Sequence, residues 1–134
     1  MTEFKSTWWS VRLPETWVAK PEESHVGISR AGGPGALHIS CVKKEKGPVS
    51  SRDLNDWAAE HGHGENPWAS AQFGTLSGLG RRRVDGSRSW HEWYLACGRL
   101  LFFVTYNCPV GQEAEEFGEV TSILVNIEPK ESGA

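Results

Sequence analysis

The chain has 134 residues, near the commonest size for one domain, and carries a net charge of −3 at pH 7. A chain of this length can bury roughly two-thirds of its unfolded surface, enough to fold without staples, and its mild acidity argues against a binder driven by electrostatic attraction to nucleic acid. Cys41, Cys97 and Cys108 show no C-x-x-C spacing and follow no apolar leader, which disfavours a disulfide framework, a zinc ribbon and secretion. The longest apolar run, Leu100 to Thr105, is too short to span a bilayer. The cytoplasm is the expected compartment, with no membrane partner.

Thr7 to Leu13 alternates, with Trp9, Val11 and Leu13 on one side and Trp8, Ser10 and Arg12 on the other. That is the period of a half-buried strand, which Pro14 ends. Glu15 to Glu23 reads as a proline-bracketed loop holding Trp17 and Val18. Ser24 to Arg30 and Ala36 to Val42 are strands, joined into a hairpin by the Gly32-Gly33-Pro34-Gly35 turn. After a charged connector, Ser50 and Asp53 give a capping signal for a helix with Leu54, Trp57, Ala58 and His61 on one stripe. Gly62 stops it.

A meander follows. Ser70 to Gly80 is strand-like but diluted by Gly74, Gly78 and Gly80, the pattern of a bulged or edge strand. Asp85-Gly86 is a hairpin turn. Ser87 to Ala96 alternates Trp90, Glu92, Tyr94 and Ala96 against His91, Trp93 and Leu95, and Cys97-Gly98 turns the chain again. Arg99 to Asn107 is apolar on both faces over most of its length and should be the central strand. A last helix runs from about Gln112 to Asn126, with Phe117, Val120, Thr121 and Leu124 on one stripe. These elements predict one α+β domain over residues 1–128, a curved antiparallel sheet of about six strands with two packing helices, and a tail over 129–134.

The order of elements, with Val11, Leu13, Pro14 and Trp17 matching an opening V-x-L-P-x-x-W segment, resembles the Mog1/PsbP-like superfamily. Gly98 to Tyr106 followed by Glu113 to Leu124 is similar to that superfamily's closing strand and helix, and the DcrB-like group shares the plan. The resemblance implies the curved antiparallel sheet. Its members include a Ran-GTPase binding factor, photosystem extrinsic subunits and effector chaperones, so it also implies action by binding other proteins. It carries over no catalytic residue and no cofactor, because function lives in sites grafted on folds.

The residues themselves offer few chemistries. His61-Gly62-His63 with Glu60 and Glu65 could take a divalent cation, but histidine at a helix C-terminus is the ordinary companion of the macrodipole. No metal site is assigned. None of the three cysteines sits in a protease or thioredoxin signature, so ordinary small, half-buried residues are the expectation. His91 and Glu92 are adjacent on a strand, face opposite ways and cannot act as a pair. Glu92 shares a face with Trp90 and Tyr94. Either Glu92 and Tyr94 line a ligand pocket or Glu92 pairs with an arginine on a neighbouring strand, the commoner use.

Arg81-Arg82-Arg83 could be a nucleic-acid patch with Trp90 or Trp93 stacking a base, yet arginines at a hairpin arm also guard an edge against aggregation. Seven tryptophans are many for this length. Trp9, Trp57 and at least one of Trp90 and Trp93 suit the core, while Trp68, beside Pro67, suits the surface. Trp and Arg are enriched where proteins bind proteins. The expected function is therefore a non-enzymatic protein-binding accessory module contacting its partner through Trp68, Arg81, Arg82, Arg83 and Trp90. A small enzyme or ligand-binding domain using Glu92 and Tyr94 is the alternative, and self-association into a dimer or oligomer a third reading.

Overall fold

The alternation at the start of the chain produces a strand that buries Trp9, Val11 and Leu13 and exposes Arg12. It belongs to the computed structural model of the protein, which describes residues 2–61 and 67–130, with His61 by its backbone only. This strand, β2 (Trp9–Leu13), lies between β1 (Thr2–Lys5) and β10 (Glu128–Pro129) in a small sheet. A seven-stranded sheet has the order β3-β4-β5-β9-β8-β7-β6, formed by β3 (Trp17–Pro21), β4 (Val26–Arg30), β5 (Ala36–Lys43), β6 (Ala69–Phe73), β7 (Leu76–Asp85), β8 (Arg88–Cys97) and β9 (Leu100–Pro109). Every strand pair is antiparallel.

The α+β class and the two helices stand as expected, and so does the central place of the Leu100–Pro109 strand. The seven-stranded sheet is consistent with the expected sheet of about six strands, while a second, three-stranded sheet among the described residues was not expected. Trp17 to Pro21 is a strand rather than a loop. Its alternation is real, with Trp17 buried and Val18 and Lys20 exposed, and Pro21 is tolerated because β3 is an edge. Ser70 to Gly80 is a hairpin, not one bulged strand, since Gly74 at φ 59° turns the chain where only glycine sits easily. Thr2–Lys5 carries no clear apolar alternation and gains its order by pairing with β2. Glu128 and Pro129 pair with Ser10 and Trp9, so the ordered pattern runs past residue 128.

Helix α1 (Ser51–His61) begins in a reciprocal cap. Asp53 N donates to Ser50 Oγ at 3.1 Å, and Ser50 N donates to Asp53 Oδ2 at 3.0 Å. Lys44 Nζ at 2.6 Å and the Ser50 amide hold the Asp53 carboxyl below its ordinary range. Leu54 and Ala58 pack with Tyr94 and Leu101 on one face of the large sheet. Helix α2 (Glu113–Val125) covers the opposite face with the small sheet, burying Val120, Ile123 and Leu124 against Trp9, Trp93, Leu95, Phe102, Val104 and Tyr106 among others.

The two faces are joined to their helices differently. Glu116 of α2 is fully buried, and its carboxylate accepts from Arg30 Nε at 2.9 Å, from the Gly35 amide at 3.1 Å and from the Tyr106 hydroxyl at 2.8 Å. A charge so placed is tolerated because each oxygen is satisfied. It also explains two glycines of the turn joining β4 to β5. A Cβ at Gly33 would run into the Glu116 carboxylate, and one at Gly35 into the Tyr106 phenol. At the other end of the same motif Trp17 Nε1 donates to Glu119 Oε2 at 2.9 Å.

Deleting a partner from such a network leaves buried groups unsatisfied at a cost of about 3–5 kcal/mol. Glu116→Ala should lower the urea midpoint by that equivalent or leave the chain unfolded, and Gly35→Ala should also destabilise. An unchanged midpoint for both would remove Glu116 from its structural role.

Two imidazoles set the acid response. His91 lies 4.6 Å from the Phe117 ring and stacks on Trp93 at 5.6 Å, and burial followed by the Arg82 charge lowers its pKa. Burial, then His25, lowers that of His38. The unfolded chain therefore takes up protons that the fold resists once the pH drops below about 6.5, and stability falls from there downward. Urea midpoints measured between about pH 7.5 and 5.5 should decline, and His91→Phe should flatten part of that decline. A flat profile in the parent chain would contradict the assignment.

Candidate functional site

Antiparallel register sets the site. Arg81 stands opposite Glu92, Arg83 opposite Trp90 and Leu79 opposite Tyr94, while β9 places Thr105, Asn107 and Phe103 beside Glu92, Trp90 and Tyr94. Residues directly opposite share a face. All of these lie on the face that α1 covers at its Tyr94–Leu101 end.

On that face a ladder of side chains forms. Arg81 Nε donates to Glu92 Oε1 at 2.9 Å, and Arg83 Nε donates to the same oxygen at 3.1 Å. The Arg81 guanidinium lies 4.6 Å from the ring centre of Trp68, and that of Arg83 lies 5.2 Å from Trp90. The order is aromatic, cation, anion, cation, aromatic. The side chains of Arg81 and Glu92 are only 6 % and 10 % exposed, so their pairing is desolvated and shielded from salt. Each cation–π stack adds roughly 0.5–2 kcal/mol and fixes a ring that would otherwise rotate. Arg83 is 32 % exposed and Trp90 half-buried, so this end of the ladder reaches solvent.

Of the seven sequence candidates, Trp68, Arg81, Arg83, Trp90, Glu92 and Tyr94 come together. Arg82 does not. Strand alternation sends it to the α2 face, where Arg82 Nη2 meets Glu113 Oε2 at 2.7 Å. The three-arginine patch is thus two arginines on one face and one on the other. Trp68 is half-buried rather than exposed, its ring tilted against Tyr94 at 5.5 Å, with its indole Nε1 buried and unpartnered among the described residues. Glu92 pairs with arginine, as cross-strand logic favours. Two further residues belong to this face, Arg88 and Asn107, whose side chains hydrogen-bond to each other. Arg88 shares the parity of Trp90 and Glu92 on β8, which is the signal that could have found it.

The expected pocket at Glu92 and Tyr94 is not formed by the side chains seen there. Guanidinium groups occupy the carboxylate, and Phe103 packs 4.8 Å from the Tyr94 ring. Burial, with help from Glu92, pushes the Tyr94 phenol up to about 12. A cleft of about 420 Å³ lies between α1 and the β6–β7 hairpin, and one of about 860 Å³ between the β1–β2 and β3–β4 turns; neither is lined by Glu92 or Tyr94. The cysteines are free thiols, with Cys41 pushed up to about 12 and Cys108 raised by burial, which keeps both protonated at neutral pH. No group of three or more His, Cys, Asp or Glu among the described residues is placed to hold a metal. His63 and Glu65 of the histidine motif lie outside the described residues.

No protein-family model and no curated protein matches the sequence. Solved structures do. A protein from Bacteroides thetaiotaomicron VPI-5482 superposes with a TM-score of 0.76 at 18% identity, over 98% of this chain and 49% of that one. The chain therefore spans about half the length of that protein. LpqN, involved in cell envelope biogenesis of Mycobacterium tuberculosis, gives a TM-score of 0.61 at 12% identity over 91% of this chain and 83% of that one. At such identities the likeness establishes the fold alone. No helix among the described residues is long and apolar enough to cross a membrane.

The ladder separates two neighbouring arginines energetically. Glu92→Ala strips the anion from two guanidinium groups and should cost about 3–5 kcal/mol in chemical denaturation. Arg82→Ala removes an exposed pair and should cost no more than about 1 kcal/mol. Equal losses would mean that Glu92 does not organise this face.

Proposed function

We propose that the chain is a non-catalytic protein-binding module of Mog1/PsbP-like type, acting in the cytoplasm, with the ladder face as its contact surface. The observation that carries the reading is the ladder Trp68–Arg81–Glu92–Arg83–Trp90 itself. Tryptophan and arginine dominate binding hot spots because each combines a large contact area with directed polar groups. Here both types are held in one conformation before any partner arrives, which lowers the entropy lost on binding. The glutamate between the arginines keeps two like charges at close range without repulsion.

The superfamily assignment draws support from how its opening segment is used. Val11 and Leu13 are buried on β2, and Trp17 is buried and hydrogen-bonded to α2. The free thiols at Cys41, Cys97 and Cys108 support a reducing compartment. Nucleic acid is a poor fit as partner, because Arg81 and Arg83 are engaged with Glu92 and Arg82 with Glu113. A membrane surface has no recognition chemistry in this reading, and the module needs no cofactor.

The test is a four-way affinity capture read by quantitative mass spectrometry. The parent chain and Arg82→Ala should retain a common set of proteins that Trp90→Ala and Arg83→Ala lose, with all variants showing the parent's circular dichroism. Identical sets from all four, or loss with Arg82→Ala alone, would defeat the proposed surface.

A further inference from the structure

We propose that the outer edge of β6 pairs with β6 of a second copy of this chain, antiparallel and centred on Ala71. The seven-stranded sheet ends at β3 and β6, and among the described residues no strand covers either outer edge. Natural sheets guard such edges with charge, proline or very short strands. The β3 edge has Lys20, with its side chain 82 % exposed, followed by Pro21. In the small sheet β1 carries Glu3 and Lys5, and β10 is two residues ending in Pro129. By contrast β6 reads Ala-Ser-Ala-Gln-Phe, with no charge and no proline.

The register of the hairpin decides which backbone groups are on offer. The two-residue turn closes on Phe73 and Leu76, and Ala69, Ala71 and Phe73 stand opposite Gly80, Gly78 and Leu76. Alternate residues of an antiparallel ladder aim their N–H and C=O groups to opposite sides. The pair flanking a two-residue turn bonds across it, so Phe73, Ala71 and Ala69 face β7 and the backbone groups of Ser70 and Gln72 face outward. Centred on Ala71, Ser70 meets Gln72 of the second copy and Gln72 meets its Ser70. The outward groups then bond to each other.

The side chains agree with that register. Ser70–Gln72 pairs lie on the α1 face, and Ala69–Phe73 pairs lie on the face where Ala71 and Phe73 pack against the core. Each copy carries −3, so like copies repel, and β6 is the edge where no like charges are brought opposite. The cleft of about 420 Å³ beside it is lined by Ser51, Leu54 and Asn55 of α1 together with Ser70, Gln72 and Leu79, and contains no charged side chain. Gln72 of the second copy stands next to Ser70, where its amide can meet the polar groups of that cleft.

A five-residue edge is small beside the roughly 1,200–2,000 Å² of standard interfaces, so the dimer is weak, with Kd of about 10 μM or higher. The two-fold axis runs perpendicular to the sheet, which keeps both α1 faces on one side. The β8 strands of the two copies then lie about 24 Å apart at a strand spacing of about 4.8 Å, on one continuous sheet. The pairing itself is independent of what the ladder binds.

Sedimentation equilibrium of the full chain over roughly micromolar to millimolar loading tests this, because such a range brackets a weak Kd. The parent chain should pass from monomer to dimer. Gln72→Lys and Ser70→Lys should each raise Kd at least tenfold with unchanged circular dichroism, while Val18→Lys on the β3 edge should leave it unmoved. A monomer throughout the range overturns the proposal. So does a dimer that ignores both β6 substitutions, or one that responds only to Val18→Lys.

Discussion

A buried carboxylate governs how this sheet is clothed. Glu116 draws the β4–β5 turn, the Tyr106 hydroxyl of the central strand and the Arg30 guanidinium to one point on α2. Placing a charge in the interior is unfavourable unless each oxygen is matched, so the surrounding backbone has little latitude. The glycines at 33 and 35 follow from that closeness, since neither position has room for a Cβ. With α2 fixed and the small sheet laid beside it, one face of the large sheet is committed to the core. That face holds Trp93, Leu95, Phe102 and Val104, together with the stacked and half-buried His91.

What remains is the opposite face, and its chemistry is of another kind. Among the described residues α1 packs on it over Tyr94 and Leu101, with Val49 and Trp68 against the same cluster. Beyond the helix the cross-strand pairs become polar and aromatic: Arg81 with Glu92, Arg83 with Trp90, and Arg88 with Asn107. There a single glutamate lies between two guanidinium groups, each against an indole, and one of those indoles, Trp68, also packs on the Leu54–Tyr94–Leu101 cluster. This division places the main hydrophobic core on one face of the large sheet and the arginine–aromatic ladder on the other. The Cys41 thiol and the Tyr94 phenol, both raised by burial, stay protonated at neutral pH, and Glu92 is engaged by two guanidinium groups.

Much of this was legible in the residue pattern. Alternation in Ser87 to Ala96 assigned Trp90, Glu92 and Tyr94 to one face, and Ser50 with Asp53 announced the cap of α1. The double-sided apolar run Leu100 to Thr105 marked the central strand. The failures have physical causes. Treating Arg81, Arg82 and Arg83 as one patch ignored the two-residue period of the strand that carries them. Trp17 to Pro21 looked like a loop because proline punctuation outweighed a short alternation that only edge placement makes viable. Thr2–Lys5 and Glu128–Pro129 owe their extended form to tertiary pairing with β2, which no local propensity encodes. The glycines at 33 and 35 were legible as a turn, but the carboxylate that requires them lies 81 residues from Gly35 along the chain.

The central claim is that Arg81 and Arg83 are held rigid on Glu92 before any partner binds. Nitrogen-15 NMR of arginine side chains tests it most directly, since a fixed guanidinium shows a slowly exchanging Nε–H and a rigid order parameter. The account predicts two such protected Nε–H signals, assigned to Arg81 and Arg83, that vanish or become averaged in Glu92→Gln while the backbone spectrum of the core is retained. Rapidly exchanging, motionally averaged signals from both arginines in the parent chain would contradict it.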